Sequence, residues 1–105
     1  MDWLHLLIAS AAEIVWAFTL KASDGFTKPL MVAFNVAALL AAVWFLVQAM
    51  RTLPLGTAYA VWTGIGVVGA AVLGIVVLGE SASPLRLSAI ALIVTGVVML
   101  KLAEG

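Results

Sequence analysis

The chain has 105 residues, of which 66% are hydrophobic and 10% are charged, and its formal net charge is zero. A soluble domain of this size cannot bury so much apolar surface, and the lack of a basic patch argues against a nucleic-acid partner. Cysteine is absent, so no disulfide framework or thiol chemistry is available. We therefore expect an integral membrane protein with no cofactor and no metal site.

Four apolar stretches are long enough to cross a bilayer as helices, which need about 20 residues for a 30 Å hydrocarbon core. They cover 3–20, 30–49, 57–78 and 85–100. The first stretch lacks a basic leader, so we interpret it as a retained span and not as a signal peptide. Alternation typical of a membrane barrel is absent. The sequence predicts an all-α membrane protein, a single domain over 1–105 in which four helices form one bundle.

The first span contains the most informative residue of the chain. Glu13 is the one formally charged side chain away from the ends of the four stretches, since Arg86 lies at the start of the fourth. An ionised group at mid-bilayer costs roughly 2.5–3.5 kcal/mol on insertion scales. Burial disfavours the charged carboxylate, so Glu13 can hold a proton or, once deprotonated, an organic cation. Ser10 and Trp16 lie one turn away on the same face. The alternative is a permanently protonated Glu13 that bonds a neighbouring helix.

The third span carries aromatic and small residues at helical spacing. Tyr59, Trp62 and Thr63 share a face, and aromatic rings attract cations. Together with a buried acid on another helix, they predict a cation site. Gly64 and Gly66 permit close packing, and they are also our candidates for a helix bend that alternating access requires.

For the remaining residues of interest the sequence favours structural roles. We predict packing for Asn35 and Trp44 in the second span, with lining of the transport path as the alternative. Trp3 and His5 are predicted to lie at the membrane interface, with no ligand role for His5. The fourth span carries a small-residue stripe suited to a contact between two copies of the chain, formed by Ala89, Ile93, Gly96 and Val97.

The basic residues predict little preference for one orientation in the membrane. Lys21, Lys28 and Arg86 fall on one side, and Arg51 and Lys101 fall on the other, so the rule that orients most membrane proteins gives a nearly balanced count. Dual insertion and a single orientation are equally compatible with it. Arg86 and Lys101 are expected to extend toward the lipid headgroups. Because four short helices enclose little space, we expect a homodimer with the path between its copies.

Two segments resemble a known family. Residues 13–27 (EIVWAFTLKASDGFT) and residues 53–66 (LPLGTAYAVWTGIG) are similar to the small multidrug resistance family, and the resemblance covers the whole chain. Features typical of the guanidinium-exporter subtype of that family are Trp16, the Leu20-Lys21 pair, Gly25-Phe26-Thr27 and Lys101.

The resemblance implies a multi-pass protein of the bacterial inner membrane that works as an antiparallel, dual-topology homodimer. It implies export of a guanidinium-type cation against inward proton flow. The two Glu13 side chains are expected at a shared site with Trp16, Tyr59 and Trp62 around them. The resemblance also assigns the fourth helix to the dimer contact and the glycines of the third helix to a bend.

The sequence departs from that subtype at two positions. Guanidinium exporters commonly have glycine where Ser10 stands and serine where Ala42 stands. The change at Ala42 removes a hydroxyl from the Glu13 region, and Ser10 is expected to supply one from another helix. These departures argue against strict selectivity for bare guanidinium and favour a substituted guanidinium such as guanylurea, or a hydrophobic quaternary ammonium ion. A polyspecific exporter of quaternary ammonium ions and a non-transporting assembly subunit are the alternatives. We expect no enzyme, because no nucleophile–base pair or metal cluster occurs in the sequence.

Overall fold

The computed structural model describes the backbone of residues 2–104 and the side chains of residues 2–103. It contains four α-helices, α1 (Asp2–Ala22), α2 (Pro29–Ala49), α3 (Leu55–Val76) and α4 (Pro84–Glu104), and the described residues contain no strand. All four helices are long and apolar enough to cross a membrane. The predicted class, an all-α membrane protein with four spanning helices, is confirmed.

Local sequence signals account for most helix ends. Proline begins α2 and α4, because the first helical turn needs no backbone donor and suits the fixed φ of proline. The side chain of Ser83 accepts a hydrogen bond from the Arg86 backbone N–H at 3.2 Å and so caps α4. Gly79 has φ +71°, which lets the chain reverse after α3.

The end of α3 differs from the sequence expectation. We predicted the third span over 57–78, whereas α3 begins at Leu55 and ends at Val76. The apolar residues Val77 and Leu78 belong to the turn that follows, where the Glu80 backbone N–H donates to the Gly74 carbonyl oxygen at 3.0 Å. Apolar composition alone therefore overestimated the helix at this end.

Helix α1 is the centre of the bundle. It packs extensively against α2 and also against α3, whereas α4 packs mainly against α3. The buried apolar core lies at the end of the bundle where α1 begins, α2 ends and α3 begins. Its members are Leu6, Ala9, Leu46, Ala49, Ala58 and Val61.

The outer surface of the bundle is apolar, which suits a lipid environment. Large side chains such as Leu40, Val76 and Leu92 are 67%, 74% and 73% exposed. Over Pro84–Ala103, α4 buries none of its residues inside the chain. Lipid or a second protein chain must cover these surfaces.

Candidate functional site

The site is built in the groove between α1 and α3. These two helices run in the same direction, because α2 returns the chain between them. The indole N–H of Trp62 donates to the Ala9 carbonyl oxygen at 3.2 Å, and one turn further along both helices Gly66 lies against Glu13. This register places the carboxyl of Glu13 beside the aromatic turn of α3.

Gly66 makes room for the carboxyl of Glu13. A methyl group at position 66 would lie 2.5 Å from the Glu13 carboxyl carbon and from Oε2, which is far inside van der Waals contact. Only glycine therefore allows the carboxyl to rest on the α3 backbone as it does. The sequence motif that contains Gly66 thus has a direct steric role at the acid.

The carboxyl of Glu13 lacks a hydrogen-bond partner among the described residues. Its Oε2 atom is buried, and no residue whose side chain is described forms a hydrogen bond with it. A buried polar atom without a partner is costly. The alternative in which Glu13 only bonds a neighbouring helix finds no support among the described residues. An ionised Glu13 therefore needs a partner from beyond the described residues.

Aromatic side chains flank this groove. The rings of Tyr59 and Trp62 are 5.6 Å apart between centroids and tilted by 53°. Tyr59 is 53% exposed, and Trp62 packs on the buried core. Thr63 donates its hydroxyl to the Tyr59 carbonyl oxygen at 2.6 Å. Three of the predicted lining residues are thus gathered on one turn of α3.

Ser10 occupies a different place from the one expected for it. We predicted that it lines the substrate site, but its side chain is fully buried and its hydroxyl donates to the Leu6 carbonyl oxygen at 2.8 Å. The structure does not bring this hydroxyl to the Glu13 carboxyl. Ala42, only 1% exposed on α2, has no polar atom to offer either.

Asn35 has a role that the sequence analysis missed. Its amide nitrogen donates to the Trp16 carbonyl oxygen at 2.7 Å and to the Thr19 hydroxyl oxygen at 3.2 Å. This pair of bonds fastens α2 to the turn of α1 that follows Glu13, and so holds the backbone of the predicted site residue Trp16. The sequence signal that could have revealed this role was an amide side chain well inside an apolar span.

The glycines of α3 contact neighbouring helices in the structure. A methyl group at Gly64 would lie 2.7 Å from a methyl carbon of Val97 and 3.5 Å from one of Ile93. Half of the stripe predicted for the dimer contact therefore faces α3 of the same chain, while Ala89 is exposed. Helix α3 is continuous through Gly64 and Gly66, so the bend stays a prediction.

The two basic residues of α4 interact within the chain instead of simply extending to the headgroups. Arg86 forms a salt bridge with Glu80. The Nζ atom of Lys101 lies 4.8 Å from the centroid of the Trp3 ring, a cation–π geometry. Sequence spacing alone did not indicate either contact.

Four spanning helices, with a carboxyl between two of them whose buried Oε2 atom has no partner among the described residues, indicate a multi-pass membrane protein of the transport class. Comparison with known proteins gives the family. The family model for the Small Multidrug Resistance protein matches residues 1–93, and the chain belongs to that family.

Several relatives are similar over nearly their whole length. The chain is 55% identical over 103 residues to a protein named Guanidinium exporter from Citrobacter freundii, and equally to one of the same name from Salmonella typhimurium. It is 52% identical to the Guanidinium exporter of Escherichia coli strain K12. In each case the match covers 98% of both chains. The chain is a transporter and not an enzyme.

Proposed function

We propose that this protein exports guanidinium or a substituted guanidinium, such as guanylurea, from the cytoplasm in exchange for protons. In this proposal residues 1–105 form one membrane domain in the bacterial inner membrane. Two copies assemble as an antiparallel, dual-topology homodimer. The names of the relatives support the substrate class, and the geometry around Glu13 supports the mechanism.

The unpartnered carboxyl of Glu13 is the observation that carries the proposal. Its buried Oε2 atom accepts no hydrogen bond from the described residues. A proton makes the group neutral, and a cation supplies donors and charge, so either one relieves the cost of burial. Because both use the same oxygen atoms, binding of one expels the other. This competition is the coupling step of an antiporter.

Guanidinium fits such a site through its shape and its donors. It is planar and can form two parallel N–H···O bonds with one carboxylate. The aromatic turn of α3 lies beside the groove, with Tyr59 and Trp62 5.6 Å apart, and ring faces attract cations. We assign Trp16, one turn beyond Glu13 on α1, to the same site.

The dimer is supported by the incomplete site and by α4. The described residues leave the Oε2 atom of Glu13 without a hydrogen-bond partner, and α4 packs mainly against α3. We place the exposed flank of α4 against the second copy, with Gly96 and Ala89 at the contact. Nearly balanced basic residues allow that copy to insert in the opposite orientation.

One observation favours a second candidate, a polyspecific exporter of quaternary ammonium ions. Ser10 uses its hydroxyl within α1, and Ala42 has none, so the surroundings of Glu13 offer few polar partners to a cation rich in donors. A quaternary ammonium ion has no donors and needs only charge and apolar contact. Substrate breadth is therefore the property to measure first.

The test is a substrate panel in proteoliposomes with an imposed pH gradient. Guanidinium, guanylurea and tetrapropylammonium are compared for the unaltered protein and for Glu13→Gln, which keeps the size of the side chain and removes its charge. We expect guanidinium-type cations to be transported by the unaltered protein only. Preference for tetrapropylammonium would establish the second candidate, and unchanged transport by Glu13→Gln would refute the proposed mechanism.

A further inference from the structure

A cavity of about 290 Å³ lies between the C-terminal halves of α1 and α3, under the connection that leads to α4. Its inner wall is formed by small and apolar side chains, and its mouth is charged. The wall includes Ala17, Ala70 and Gly74, and the mouth includes Lys21, Glu80 and Arg86.

This cavity continues the groove that contains Glu13. Ala17 follows Glu13 by four residues on α1, and Ala70 follows Gly66 by four residues on α3. Four residues correspond to about 6 Å along a helix and return to the same face. The inner end of the cavity is therefore one helical turn from the contact between Glu13 and Gly66, and its outer end is at the membrane surface.

The carboxylate of Glu80 is built into the rim of the cavity. A methyl group at Gly74 would collide with this carboxylate, so the glycine is what lets Glu80 lie on the α3 backbone. The backbone N–H of Glu80 donates to the Gly74 carbonyl oxygen at 3.0 Å. Position and orientation of Glu80 are thus set by the end of α3.

The partner of Glu80 in the structure is itself a guanidinium. Arg86, in the first turn of α4, bonds to the carboxylate of Glu80 through its terminal nitrogen. The two side chains are 37% and 40% exposed, and ion pairs with this much contact with water are weak. A free guanidinium ion can replace the side chain of Arg86 without changing the type of hydrogen bond that the carboxylate accepts.

We infer that Glu80 is a docking site for guanidinium-type cations at the mouth of the α1–α3 groove, which Arg86 occupies as a tethered guanidinium when no substrate is bound. The inference rests on the proposed function in taking the cation class from it. Glu80 concentrates the substrate at the mouth, and Glu13 binds it deeper in the groove. Lys21 at the same mouth repels a bound cation and keeps its residence short.

Equilibrium binding tests this site separately from transport. Guanidinium chloride is titrated by nuclear magnetic resonance against full-length Glu13→Gln protein in lipid nanodiscs, which removes the deeper site. We expect weak binding that disappears when Glu80→Gln is added. Adding Arg86→Gln instead frees the carboxylate and should tighten binding about two- to five-fold, the range expected for loss of an exposed competing pair.

The matched control is Asp24→Asn. Asp24 is an exposed carboxylate in the connection between α1 and α2, on the same side of the membrane as Glu80. Its φ of +50° is tolerated equally well by asparagine. This variant removes the same charge without touching the cavity, so binding should not change. A loss equal to that of Glu80→Gln would mean that surface charge alone attracts guanidinium, and would overturn the inference.

Transport supplies the second measurement. With Glu13 intact, Glu80→Gln should raise the KM for guanidinium about two- to five-fold and leave kcat nearly unchanged, because the docking step precedes the coupling step. If Glu80→Gln fails to insert into the membrane, the guanidinium titration of Arg86→Gln tests the site by itself. A guanidinium affinity that Arg86→Gln leaves unchanged would refute the site. If binding follows Glu80 while the unaltered protein exports no guanidinium, the docking site stands and the proposed function falls.

Discussion

Gly66→Ala is the sharpest perturbation of the proposed mechanism. The added methyl group would lie 2.5 Å from the Glu13 carboxyl carbon, and ordinary contact begins at 3.4 Å. The carboxyl must therefore move away by about 0.9 Å. It is the far end of a flexible side chain, so it can move without displacing a helix.

We expect a folded protein with greatly reduced transport. Alanine is favoured over glycine in a helix by about 1 kcal/mol, and an off-rotamer Glu13 side chain costs about 0.5–1.5 kcal/mol, so the two effects nearly cancel in stability. A misplacement of about 1 Å at a reacting group can lower a rate about 100-fold. Guanidinium uptake by Gly66→Ala should fall by about 10- to 100-fold.

The assay is the initial rate of guanidinium uptake into proteoliposomes, with thermal unfolding of the same preparation as a check on folding. Gly56→Ala is the matched control, since it adds a methyl group to the same helix where nothing lies within 4 Å. A Gly66→Ala protein that inserts normally and transports at the unaltered rate would refute the reasoning. Transport would then not depend on where α3 holds the carboxyl.

Two further predictions concern proton coupling and the stability of the bundle. The affinity for guanidinium should fall as pH falls, by up to about tenfold per pH unit once Glu13 is mostly protonated, since one proton excludes one cation. A binding affinity that stays constant from about pH 5 to 9 would rule out this competition. Asn35→Leu removes the bonds of 2.7 and 3.2 Å to α1 and should lower the free energy of unfolding by about 1 kcal/mol. Denaturant unfolding measures this loss, with Val36→Leu on the exposed side of the same helix as control; equal stability of the two variants would contradict the anchoring role.

The sequence was sufficient for the class of protein and for its central acid. Four long apolar stretches can form their backbone hydrogen bonds within a membrane only as spanning helices, because hydrocarbon offers no hydrogen-bond partners to an open backbone. A single carboxylate within them is conspicuous since its burial is costly. Both inferences depend on composition along the chain and need no knowledge of which residues touch.

Contacts between helices were decided only by the tertiary structure. Apolar helices have no polar stripe that orients them in lipid, so periodicity did not reveal that Gly66 faces Glu13 or that Ile93 and Val97 face Gly64. Ser10 shows the same limit of sequence patterns. Its spacing from Glu13 predicted a place in the substrate site, but its hydroxyl donates to a carbonyl oxygen of its own helix. Direction and register of packed helices depend on the shapes of both partners, which a one-dimensional pattern does not contain.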